Sequence, residues 1–173
     1  SDLVINSIPS SIKNVIQKDQ LGTGHAVSIV INSEVFNEIK SEFTLVVPGD
    51  APAINQDDID SLIDEVKKKS SPVGFLTAFV DNPFGYGRIV KNNQEIKIVE
   101  EKDCSEEEKA INEINSGIYC FRTEFLVENI DNLNTENAQG EFYLTDLIGI
   151  ANNQKQDIVI VQVDEDSIKG INS

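Results

Sequence analysis

The chain has 173 residues, a formal charge of −16 from 30 acidic and 14 basic side chains, one histidine, two cysteines and no methionine. That balance argues against a broad nucleic-acid or anionic-membrane surface, because such partners need a basic footprint, and no apolar run is long enough to span a bilayer. The length suits a single domain, and Cys104 and Cys120, with no CxxC pairing, read as two free thiols in a reducing cytoplasm.

In chain order, Ile12 to Gln17 reads as a strand that leads into Gly22-Thr23-Gly24-His25 and an apolar helical segment (Ala26, Ile29, Val30). Phe43-Thr-Leu-Val-Val47 is a continuous β-rich run ending at Pro48-Gly49-Asp50, and Val73 to Val80 and Asp157 to Val163 are similar. Runs apolar on both faces suit strands buried in a parallel sheet. Ile59, Leu62, Ile63 and Val66 follow helical spacing behind a cap at Asn55 or Asp57. Gly87 to Lys91 and Glu95 to Glu100 read as two strands joined by an Asn92-Asn93 turn. Ser105 with Glu108 is a capping-box signature for a short helix at about 105–113. Asn115-Ser-Gly117 reads as a turn feeding a strand. Phe125, Leu126, Asn129, Ile130 and Leu133 give one more helical stripe, and Leu144, Leu147, Ile148 and Ala151 another. This alternation predicts an α/β fold with a mainly parallel sheet and an antiparallel insertion.

In such sheets ligands bind beyond the carboxyl ends of the strands, which makes Gly49-Asp50 a candidate. A carboxylate there suits Mg²⁺, which takes one or two protein ligands and completes its shell with phosphate oxygens and water. The same Asp also serves as an ordinary turn cap. Gly22 and Gly24 at a strand-to-helix turn allow close approach of a flat ligand to backbone N–H groups, or simply a tight turn. They form neither a P-loop nor a dinucleotide-binding fingerprint. His25 stands alone, so its expected role is a hydrogen-bonded histidine at a helix start.

Seven segments then occur in one order: Gln17-x-x-Gln20-Leu-Gly-Thr-Gly-His-Ala, Gly49-Asp50-x-Pro52, Asn82-Pro-x-Gly85-Tyr-Gly-Arg-Ile, Ile98-Val-Glu100-x-Lys-Asp, Ile114-Asn-Ser-Gly, Gln139-Gly-Glu-Phe-Tyr-Leu-Thr-Asp146 and Gly170-Ile-Asn172. Together they closely resemble the uridyltransferase (pyrophosphorylase) domain of the bacterial bifunctional GlmU family, N-acetylglucosamine-1-phosphate uridyltransferases. The resemblance covers about residues 12–172. It implies a Rossmann-like nucleotide-diphospho-sugar transferase fold and the joining of UTP to N-acetylglucosamine 1-phosphate, with release of pyrophosphate, as a step toward cell-wall precursors. It further implies that Gln17, Gly22 and Thr23 hold the uracil. Gly49 and Asp50 would face the nucleotide, and Gly87, Glu100 and Asn115 would hold the sugar ring. Asp50 and Asn172 would ligate Mg²⁺, Asp50 being the residue assigned to catalysis. Residues 139–146 would form a lid or wall of the sugar pocket. On this reading residues 1–173 are one incomplete nucleotidyltransferase domain, with a uridine and metal half at about 1–75 and a sugar half at about 76–173.

The family's Gly-rich phosphate loop, with its Arg and Lys, has no match in the sequence, so the chain is expected to be a fragment inactive alone. The hexapeptide repeats that carry the family's trimer contacts are also absent from the sequence, which implies a monomer. Pro48 stands where the family usually has an aromatic residue. Two other readings stay open: a non-catalytic sugar-nucleotide-binding remnant, and a sister transferase for another sugar phosphate.

Overall fold

The computed structural model describes residues 8–38, 41–50, 54–92 and 95–168. Helix α1 (Thr23–Ile31) and one turn of helix, α2 (Glu34–Asn37), precede strand β1 (Phe43–Val46). Helix α3 (Gln56–Lys69) then leads to β2 (Val73–Phe79), and β3 (Arg88–Asn92) pairs with β4 (Glu95–Val99). After a short helix α4 (Glu106–Lys109) come β5 (Glu113–Arg122), α5 (Thr123–Asn129), α6 (Asp146–Asn153) and β6 (Ile158–Gln162).

Local chemistry explains the best-formed helix. The Asn55 side chain caps α3 by accepting from the Asp57 amide at 3.0 Å. Asp57 and Asp58 sit in its first turn and Lys67, Lys68 and Lys69 in its last, which complements the helix dipole. Ser70 ends it in the left-handed region (φ 52°). The Ser105–Glu108 capping box also forms, but its helix is one turn long and stops at Lys109. Asn112 instead gives its carbonyl to the Val80 amide (3.1 Å), which commits the chain to the strand that follows.

The six strands form one sheet in the order β4-β3-β5-β2-β6, with β1 also on β5. The expected mainly parallel arrangement holds for strand direction and not for pairing. β1, β2, β3 and β6 run the same way, yet only β2 and β6 pair in parallel. The reason is β5, which runs against its neighbours and separates β2 from β1 and β3. The residues 12–17 expected as a strand are irregular, and Ile12 and Ile16 lie exposed.

Helices cover both faces. On one, α1, α5 and α6 bury Ile31, Leu126, Leu147 and Ala151 against Val73, Phe75, Tyr119 and Phe121. On the other, Leu62 and Val66 of α3 pack on Leu76, Ala78, Ile118 and Val159. Alternation along β2 therefore feeds two cores, and each fully buried Leu or Phe contributes roughly 2–3 kcal/mol. The outer edge of β1 has no strand partner among the described residues, and beside it Val30, Leu45 and Val47 are part of an apolar groove of about 620 Å³.

Candidate active site

β5 is the element that creates the site. One flank of it pairs with β2 along most of its length. The other flank takes β1 at Tyr119 to Arg122 and β3 only at Ile114. Between the end of β1 and the start of β3 the sheet is split, and β5 bulges there, with its register slipping opposite Leu76. Asn115, Ser116 and Gly117 are that bulge, within the strand and not a turn ahead of it as the sequence suggested. Ser116 Oγ donates to the Leu76 carbonyl (2.8 Å), and Gly117 takes φ 79°.

A cavity of about 390 Å³ fills the split. Val46, Val47 and Pro48 form its floor at the end of β1. Gly85, Tyr86 and Gly87 line it from the start of β3, Asn115, Ser116, Gly117 and Tyr119 from β5, and Thr23, Glu100, Leu144 and Thr145 complete the lining. Of the residues singled out in the sequence, Thr23, Gly87, Glu100 and Asn115 meet here. Pro48 packs on the bulge: a Cβ built at Gly117 would lie 3.0 Å from Pro48 Cγ.

The sugar-side candidates are tightly held. Asn115 donates through Nδ2 to Tyr119 Oη (2.6 Å), accepts at Oδ1 from the Gly117 amide (3.1 Å), and its own amide donates to the Gly87 carbonyl (2.8 Å). Burial pushes the Tyr119 phenol well above its ordinary range, so it stays a neutral donor and acceptor. Glu100 Oε1 accepts from Thr145 Oγ1 at 3.1 Å. Burial raises the Glu100 pKa; the Thr145 hydrogen bond opposes this, and Asp103 and Asp146 add to it. Gly87 lies against that carboxylate, since a Cβ there would stand 3.4 Å from Glu100 Oε2.

Of residues 139–146, Leu144 and Thr145 line the cavity, and hydrogen bonds tie the segment down. Lys102 Nζ donates to Gln139 Oε1 (2.6 Å), Gln139 Nε2 to Tyr143 Oη (2.8 Å), and Tyr143 Oη to Asp103 Oδ2 (3.1 Å). The Gly22 loop is zipped to the same segment. The Phe142 amide donates to the Leu21 carbonyl (2.8 Å), the Gly24 amide to the Phe142 carbonyl (2.8 Å), and the Leu144 amide to Thr23 Oγ1 (3.0 Å). Gln17 Nε2 reaches the Gly22 carbonyl (3.2 Å) and His25 Nδ1 (3.0 Å), so His25 has the structural role expected of it. Gln17 and Gly22 thus flank the cavity through Thr23 without lining it.

Gly49 and Asp50 follow the floor residue Pro48 and are exposed at its mouth. Asn172 and Pro52 lie outside the described residues. No group of three or more metal-ligating side chains occurs among the described residues. Mg²⁺ bound to phosphates needs only one or two protein ligands, and the exposed Asp50 carboxylate has the hard-oxygen chemistry of such a ligand. Sequence reasoning missed Thr145 and Tyr119. Thr145 lay within a quoted motif without a role, and Tyr119 joins Asn115 across the bulge that lies between them.

The sequence matches the Nucleotidyl transferase family over residues 5–165. The chain belongs to that family. The transferase is 43% identical to the "Bifunctional protein GlmU" of Fervidobacterium nodosum over 172 residues, 99% of this chain and 36% of that protein. To the protein of the same description from Clostridium novyi it is 42% identical, over 99% of this chain and 40% of the relative. It therefore spans well under half the length of these relatives. Two solved structures share its fold. A Bacillus anthracis protein described as a glucose-1-phosphate thymidylyltransferase superposes with a TM-score of 0.63 at 22% identity, over 84% of this chain and 55% of that one. A CMP:2-keto-3-deoxy-manno-octonic acid synthetase with CTP gives 0.58 at 20% identity, over 82% and 60%. The chain thus shares the α/β sheet fold of these two proteins, and its family is that of the nucleotidyl transferases.

Proposed function

We propose that this chain is the sugar-binding and metal-binding part of a uridyltransferase that joins UTP and N-acetylglucosamine 1-phosphate into UDP-N-acetylglucosamine, a cell-wall precursor, and releases pyrophosphate. The observation that carries the reading is the convergence of Thr23, Gly87, Glu100 and Asn115 on one cavity in the split of the sheet. Its support is the relatives' shared description and the order of the motifs.

In this reading the transfer needs positioning and charge neutralisation more than a protein nucleophile. The phosphate oxygen of the sugar attacks the α-phosphorus of UTP, and the bond to pyrophosphate breaks in line. Glu100, Asn115 and the backbone of Gly87 orient the sugar hydroxyls and acetamide. Gln17, Gly22 and Thr23 hold the uracil at the opposite side. A Mg²⁺ on Asp50, with Asn172 as its second ligand, would supply charge neutralisation at the phosphates. Among the described residues that line the cavity, Glu100 is the charged one, so the cavity suits the neutral sugar better than the triphosphate. The protein is expected to be cytoplasmic and, as this chain, monomeric.

The test is pyrophosphate release from UTP and N-acetylglucosamine 1-phosphate in the polypeptide that carries this sequence, beside calorimetry of this chain with UDP-N-acetylglucosamine. Asp50→Asn should lower turnover at least about tenfold without shifting the unfolding midpoint. Equal turnover by both overturns the metal assignment. Binding without any turnover favours a non-catalytic sugar-nucleotide-binding protein, and preference for another sugar phosphate favours a sister transferase.

A further inference from the structure

Arg88 is among the largest side chains fully buried in the protein, at 1% exposure, and nothing above gives it a task. It opens β3 where that strand is flanked on both sides, opposite Val99 and Ile114. Its Nη2 pairs with Glu101 Oε2 at 2.7 Å, and its Nη1 donates to the Tyr86 carbonyl. The same Glu101 oxygen accepts from the Gly85 amide at 3.1 Å. Gly85 sits at φ 89°, a conformation open to glycine without strain. Adjacent residues thus divide the work. Glu100 turns its carboxylate to Thr145 and the cavity, while Glu101 turns its own to the loop at residues 82–87.

We infer that Arg88 and Glu101 are positioning residues: their ion pair clasps the 82–87 loop to the turn after β4 and fixes the separation between Gly87 and Glu100, and hence the width of the sugar side of the cavity. This rests on the sugar-side reading above and adds its regulation by geometry. A buried guanidinium fork is worth its desolvation only where it fixes several acceptors at once. Here it joins a side chain of one strand end to a backbone carbonyl of the other. Hydrogen bonds from Arg88 and the Gly85 amide hold the Glu101 carboxyl below its ordinary range, so the clasp stays charged at neutral pH. Among the described residues, the hydrogen bonds left to the loop without it are its local turn, Phe84 N to Asn82 Oδ1 and Tyr86 N to the Pro83 carbonyl, and the Asn115 amide to the Gly87 carbonyl.

The experiment compares the chain with Glu101→Ala, Glu101→Gln and Arg88→Lys. It reads exchange of the Gly85 amide and NMR titrations with N-acetylglucosamine 1-phosphate and, separately, uridine. Glu101→Ala should speed Gly85 exchange about tenfold or more, weaken the sugar phosphate about tenfold, and leave uridine unchanged. Glu101→Gln, which keeps an acceptor for Gly85, should recover part of both. Arg88→Lys, which keeps charge and loses the fork, should behave like Glu101→Ala; if it fails to fold, the Glu101 pair decides. Unchanged Gly85 exchange overturns the clasp. Equal weakening of both ligands also overturns it, because that marks general loosening. If the unmodified chain binds neither ligand, the sugar-side reading falls and exchange alone decides whether the clasp exists.

Discussion

Two glycine turns flank the cavity, and they owe their glycines to different causes. At Gly22 a Cβ would lie 2.6 Å from the Phe142 carbonyl oxygen, with φ at 105°, and at Gly24 it would lie 2.4 Å from Leu133 Cδ1. The protein's own wall fills that space, so packing explains both residues. At Gly49 a Cβ would meet nothing within 4 Å among the described residues. No contact among them requires glycine there, and under the proposed function the room is left for the nucleotide. A glycine that looks the same in sequence is required by packing in one turn and by no contact among the described residues in the other.

The comparison can be broken first at Gly22. Gly22→Ala combines a left-handed backbone with a backbone clash, and should cost about 2–4 kcal/mol. That corresponds to a fall of roughly 5–15 °C in the thermal midpoint. A neutral outcome would mean that the 21–24 and 142–144 segments are not zipped together.

A smaller effect tests the charged side of the wall. Burial raises the Glu100 pKa above its ordinary 4.5. A carboxyl whose folded pKa is raised gives its full stability below the unfolded value, and loses it as pH rises through the folded value. Glu100→Gln keeps the acceptor for Thr145 and cannot ionise. Its midpoint should equal that of the unmodified chain near pH 4 and exceed it by about 2 °C at pH 7. The same substitution should weaken the sugar phosphate. An equal difference at both pH values would rule out ionisation as the cause.

The smallest expected change in stability is at Gly49. Gly49→Ala should stay within about 0.5 kcal/mol in urea unfolding, while lowering turnover with UTP. If it destabilises the chain as Gly22→Ala does, the distinction between the two turns fails.

Much of this was legible in the sequence. Asn55 capping, the helical stripe at 59–66 and the apolar runs at 43–47, 73–80 and 157–163 all report local physics, and each produced its element. The 12–17 run failed because alternation yields a strand only where a partner strand pairs with it, and none does among the described residues. Asn115-Ser-Gly117 misread as a turn because Asn, Ser and Gly are turn formers in general. Here they form a bulge whose spare groups are satisfied by Leu76, Tyr119 and Gly87. Thr23, Gly87, Glu100 and Asn115 were singled out by their motifs, and they line one cavity. Arg88 stood in one of those motifs and Glu101 at an unspecified position of another, but a pair's role depends on what faces it.

The sequence alone determined the two-faced apolar patterning, the α/β alternation, the caps and the family, because these depend on neighbours along the chain. Tertiary structure decided that β5 pairs with β1 and β3 on one flank, that the gap between them is a cavity, and which glycines are packed and which stand open. Those facts depend on residues far apart in the chain, such as Thr23 and Leu144 at 121 positions, and spacing along a chain carries no record of who meets across a sheet.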